Sequence, residues 1–137
     1  MIVIRAIVEK IVFANEDEEI LSLFKEYGFN LKADLKENAL NEKFLNDSRE
    51  EILLKIRSEM ANGKPQYLLE ENGSEAICVI KERYPNKKQK RGARYGYRLI
   101  VFVDGNDHKA TVFHLYDKVR KKDLTSNEKK QIKKMII

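Results

Sequence analysis

Cysteine is almost missing from this chain. Cys78 is the only one in 137 residues, which excludes an internal disulfide and leaves no second thiolate for a zinc ligand set. That usage suits a reducing compartment, with the cytoplasm as the default. Long apolar runs are missing too. The most apolar stretch, MIVIRAIVEKIVFA at the N-terminus, is interrupted by Arg5, Glu9 and Lys10 well short of the roughly 20 residues a membrane span needs. It also lacks the basic head and small-residue cleavage site of a signal, so it reads as a first strand. There is no internal repeat, Walker loop, GxGxxG or HExxH motif. With two histidines, His108 and His114, Ser/His/Asp catalysis is poorly supported, and neither a metal nor a cofactor is expected.

The second half of the chain is poor in acids. Residues 1–80 carry 10 Lys and Arg against 16 Asp and Glu, a net −6, whereas residues 81–137 carry 17 against 6, a net +11. A surface that cationic attracts polyanions within a Debye length and gains counterion release on phosphate, which makes nucleic acid the natural partner class. The length fits one domain with a real core.

Hydrophobic periodicity outlines the elements. Residues 2–13 alternate as a strand. Asn15 offers an N-cap to an acidic first turn, with Ile20, Leu21, Leu23 and Phe24 apolar and Gly28 as the stop. Residues 32–45 are a weaker helix, and residues 48–61 a stronger one opened by a Ser48/Glu51 capping box. The stretches 75–84, 95–103 and 109–116 read as strands. Gly105 and Asn106 suit a two-residue hairpin that sets Arg98 opposite Phe113 and Arg94 opposite Asp117. Thr125 and Glu128 form a capping box for a basic last helix ending near Met135. The expected fold is α+β: an antiparallel sheet of about four strands, N-terminal helices on one face, and a C-terminal helix.

Within this frame, Gly96 and Arg98 enter a strand, a hairpin follows, and the next strand ends in Leu115, Tyr116 and Lys118. Lys121 lies in a charged patch, and Asp123, Leu124, Thr125 and Glu128 start the helix. This ordered set resembles the C-terminal part of the RelE/ParE toxin superfamily, in its RelE-like and HigB-like branch. The likeness runs from about residue 65 to the end, while residues 1–45 are atypical of the family. It implies a single RelE-like toxin domain, residues 1–137, that cleaves messenger RNA on the ribosome, causes growth arrest and is held inactive by a cognate antitoxin.

Metal-free RNA cleavage by the 2′-hydroxyl requires removal of one proton, stabilisation of a phosphorane and help for the departing 5′-oxygen. Arg98 offers a planar fork for phosphate oxygens. The hairpin returns Lys118, Arg120 and Lys121 toward it, where mutual repulsion would free a lysine to act as base. Tyr116 or His114 would stack or transfer a proton. Lys87, Lys88, Lys90, Arg91 and Arg94, in a loop without apolar period, would track backbone phosphates, and Tyr95 and Tyr97 would stack on unpaired bases. A ParE-like gyrase inhibitor and a non-catalytic RNA-binding protein remain open alternatives. The antitoxin is expected to present an acidic segment to the basic face of residues 125–135.

Overall fold

The computed structural model describes residues 7–62, 66–68 and 77–136. The first helix is capped two residues later than the composition suggests. Asn15 falls in a single 3-10 turn, Ala14–Glu16. Asp17 caps instead, its Oδ1 accepting from the N–H groups of Glu19 at 2.9 Å and Ile20 at 3.2 Å, and α1 runs Glu18–Lys25. Gly28, at φ +84°, ends this segment where a side chain would be strained.

The two expected helices that follow are divided differently. Asn30 caps a short α2, Leu31–Glu37, through an Oδ1 that accepts from Ala33 N–H at 3.1 Å. Ala39, left-handed at φ 54°, breaks the chain direction. A second amide cap, Asn41, then starts α3, Glu42–Asn62. Ser48 therefore caps nothing: it is buried inside α3, with its hydroxyl donating to Phe44 O at 2.6 Å. Leu45, Ser48, Ile52, Ile56 and Met60 all lie on the buried side, so one helical period continues through the proposed start.

The sheet has five strands in the order β1-β5-β4-β3-β2: β1 Lys10–Phe13, β2 Gln66–Tyr67, β3 Ile77–Tyr84, β4 Tyr97–Asp104 and β5 Lys109–Asp117. β2 to β5 are antiparallel neighbours. β1 lies parallel to β5, with Lys10 beside Lys109 and Phe13 beside Val112, so the fold is α+β on a mixed sheet and not a purely antiparallel one. A parallel neighbour needs a long crossover, and here most of the chain supplies it. The strand expected over residues 2–13 is confirmed only for its last four residues; residues 2–6 lie outside the described residues.

The β4–β5 hairpin corrects the expected register. Asp104 Oδ1 accepts from the N–H groups of Asn106 at 3.0 Å and Asp107 at 3.2 Å, and this Asx-type turn makes a four-residue loop in place of Gly-Asn alone. The register also shifts between Ile100 and Val101. Phe113 is the extra residue, and its ring stacks on Phe24 at 4.5 Å. As a result Arg98 faces Tyr116 and not Phe113, and Tyr97, not Arg94, faces Asp117.

Side chains alternate across this sheet. Tyr84 and Tyr97 meet Phe44 of α3, with ring centroids 5.7 and 5.8 Å away. On the opposite face Lys81 and His114 meet α4, Ser126–Ile136, and the segment before it, through Asp123 and Glu128. The Thr125/Glu128 capping box forms as expected: Thr125 N–H donates to Glu128 Oε1 at 2.8 Å, and Glu128 N–H to Thr125 Oγ1 at 3.1 Å. None of the described helices is long and apolar enough to cross a membrane.

Candidate nucleic-acid interface

The end of β5 gathers a chain of ionised groups from three elements. His114 is 7% exposed. Its Nδ1–H donates to Asp34 Oδ2, from α2, at 2.8 Å, and the same oxygen accepts Leu115 N–H at 3.1 Å. Its Nε2 lies 3.2 Å from Glu128 Oε2, in an ion contact whose angle leaves the N–H without a directed acceptor. Glu128 Oε1 in turn receives Lys121 Nζ at 2.6 Å. Burial pulls the His114 pKa down, but the Asp34 and Glu128 carboxylates outweigh it, and the net shift is upward, favouring imidazolium near neutrality. For Glu128, burial acts upward, while His114, Lys121 and the Thr125 N–H hold the carboxyl well below the usual range.

This cluster lines a hollow of about 330 Å³ together with Tyr116, Asp117 and Arg120. Tyr116 Oη is buried with no hydrogen-bond partner among the described residues, and burial, then the Asp123 charge, pushes its pKa up to about 12. Lys121 Nζ stands 5.3 Å from the centroid of that ring. A second hollow, of about 440 Å³, shares Glu37, Asn38, Asp117 and Arg120 with the first and adds Lys88, Arg91 and Tyr97. Of the residues singled out from sequence, His114, Tyr116, Arg120 and Lys121 therefore converge on one hollow, and Lys88, Arg91, Tyr97 and Arg120 on its neighbour.

The remaining predicted residues are placed elsewhere. Arg98 is 4% exposed, and its fork is occupied by the protein's own backbone. Nη1 donates to Ala93 O at 2.8 Å and Tyr97 O at 3.3 Å, and Nη2 to Arg94 O at 2.8 Å. Lys118 Nζ donates to Lys122 O. With Lys121 on Glu128, the lysines are individually satisfied and do not form a mutually repelling group. Arg91 is paired with Asp117 at 2.8 Å, Lys88 donates to Ala39 O at 2.8 Å, and Lys87 sits by Glu51 at 3.4 Å. Lys90 is exposed in a left-handed turn at φ 53°. Of the two tyrosines expected to stack on bases, Tyr97 is buried, whereas Tyr95 is exposed, with its ring beneath the Arg94 guanidinium at 5.4 Å.

Two residues of the cluster escaped the sequence reading. Asp34 sits in a weakly patterned helix 80 residues from His114, and no local signal connects them. Glu128 was legible as a cap, but its second carboxylate oxygen is what reaches His114. Among the described residues, no group of three or more His, Cys, Asp or Glu side chains is placed to hold a metal ion. Comparisons with family models, curated proteins and solved structures find no match to this chain.

Proposed function

We propose that this chain is the toxin half of a toxin-antitoxin pair: an endoribonuclease that takes single-stranded messenger RNA into the two joined hollows. The observation that carries this reading is the convergence of Arg120, Lys121, Tyr116 and His114 on one hollow that adjoins the Lys88 and Arg91 side. The RelE-like order of motifs in the C-terminal half supports it, as does the net +11 of residues 81–137. Arg120 and Lys121 hold the non-bridging phosphate oxygens. When phosphate draws Lys121 away and His114 Nε2 turns to the departing 5′-oxygen, Glu128 loses both cations that keep it a weak base and accepts the 2′-hydroxyl proton. The 2′-oxygen bonds to phosphorus, the bond to the 5′-oxygen breaks, and His114 supplies that oxygen with a proton from Nε2. The products are a 2′,3′-cyclic phosphate and a 5′-hydroxyl.

Purified protein incubated with RNA in EDTA, with and without ribosomes, tests this. Cleavage leaving those termini is expected, abolished in His114→Ala and strongly reduced in Arg120→Ala, with induced expression arresting growth in parallel. A second reading, binding without cleavage, is favoured by the burial of His114 and by the ion pair already made by Lys121. It predicts tight, salt-sensitive binding of RNA that stays intact. Absence of both binding and cleavage would refute the proposal.

A further inference from the structure

Arg98 poses a physical question of its own, because a buried guanidinium in the middle of a sheet is costly unless its donors are all used. Here they are spent on one short segment. The 3-10 turn Ala93–Tyr95 leads directly into β4, and Arg98 closes the carbonyls of Ala93 and Arg94, each at 2.8 Å, in a single fork. Three further contacts fix the same turn. Tyr95 N–H donates to Gly92 O at 3.1 Å, and Lys118 N–H donates to Gly96 O at 3.0 Å. Gly96 lies so close to β3 that a Cβ there would stand 2.2 Å from Tyr84 O. Yet what this rigid turn presents is not buried. Tyr95 is 55% exposed, the aromatic member of the exposed large apolar side chains among the described residues, and the Arg94 guanidinium lies over its ring.

We propose that Arg98 is a positioning residue, holding the 93–95 turn so that Tyr95, backed by Arg94, forms a pre-set stacking platform for an unpaired base of single-stranded RNA. The inference rests on the RNA-binding part of the reading above. Every base has a π-face, so such a platform is sequence-tolerant. Rigidity matters because a side chain already fixed in the free protein loses little entropy on binding. A planar fork is required because the two carbonyls are bridged by separate nitrogens, which a lysine ammonium does not reproduce. The exposed Arg83, paired with Arg98 from the adjacent β3, and the neighbouring Lys118 supply charge for the flanking phosphates.

The test measures binding of a short single-stranded RNA and of an abasic sugar-phosphate strand of equal length to wild type, Tyr95→Ala, Arg98→Lys and the double variant. Tyr95→Ala is expected to lower affinity for the RNA about tenfold and to leave the abasic strand unaffected. Arg98→Lys should show the same base-dependent loss, and the double variant no more than either single one. Losses that multiply in the double variant, or that appear equally on the abasic strand, overturn the positioning role. Amide hydrogen exchange of the wild type decides the matter even where Arg98→Lys fails to fold. The Tyr95 N–H should exchange as slowly as the N–H groups of β4, and free exchange there overturns the proposal. Wild type that does not bind RNA refutes the parent reading, whereas binding indifferent to Tyr95→Ala refutes the platform alone.

Discussion

Replacing Glu82 with glutamine should make this protein more stable at neutral pH. Glu82 lies on β3 beneath α3, with its side chain 2% exposed, and its Oε1 has no hydrogen-bond partner among the described residues. Lys55 Nζ stands 3.6 Å from its other oxygen but also donates to Arg83 O at 2.6 Å. Burial first, and then the neighbouring Glu59 carboxyl, push the Glu82 pKa up from 4.5 to about 9, against the opposing pull of Lys55. An acid whose folded pKa is raised binds more protons in the native state than in the unfolded chain. Stability therefore falls as pH rises through the window between the two values. At 1.36 kcal/mol per pH unit for one proton, wild type loses roughly 2–3 kcal/mol from this group between pH 5 and pH 7. Glutamine keeps the shape, stays neutral at every pH and has no proton to lose. Urea denaturation at pH 4, 5, 6, 7 and 8 should give nearly equal stability for the two proteins at pH 4 and a widening advantage for Glu82→Gln above it. Curves that stay parallel across that range would show Glu82 ionised in the native protein and refute the reasoning.

Gly96→Ala places a Cβ against Tyr84 O, Asn86 N and Pro85 Cα, all backbone atoms, so the strand entrance must move. A loss of about 1–3 kcal/mol in chemical denaturation is expected. Ser48→Ala should change stability by less than about 0.5 kcal/mol, because the hydroxyl bonds back inside α3; loss of a true N-cap would cost about 1 kcal/mol. The raised pKa of His114 makes the opposite statement to a depressed acid. Its contribution is complete below the unfolded value of 6.5 and fades as pH climbs through the folded one. An NMR titration of the His114 ring should place its midpoint above 6.5, and a midpoint below that removes the imidazolium from the cluster.

The parts of the fold that were legible in the sequence are those fixed by neighbours in the chain. The Thr125/Glu128 cap is a contact between residues three apart, and the Gly28 stop is a matter of one backbone angle. The three long strands show in their alternation and β-branched content. Ser48 misled because a hydroxyl four residues after a carbonyl bonds back within a helix as readily as it caps one. The parallel placement of β1 was invisible, since its partner strand lies at the other end of the chain. The hairpin register was lost to Asp104, whose carboxylate lengthened the turn, and to the extra residue Phe113, which the core kept for its ring contact with Phe24. At the site, the cationic side chains were countable, but their partners were not. Asp34, Asp117 and Glu128 arrive from separate elements, and they decide which cations stay available for phosphate.

The pairing of β1 with β5 also sets the order in which the chain can be completed. Lys10–Phe13 and Lys109–Val112 are about a hundred residues apart, so closing that edge bears the largest loop entropy in the sheet. The β3–β4–β5 meander has only local turns to form and can assemble first. A nascent chain leaving the ribosome exposes β1 until residues 109–112, about a hundred residues further on, have emerged. Refolding should therefore show the meander protected from hydrogen exchange before Ile11 and Val12. Truncation within β5 should release the N-terminal helices along with the strand it removes.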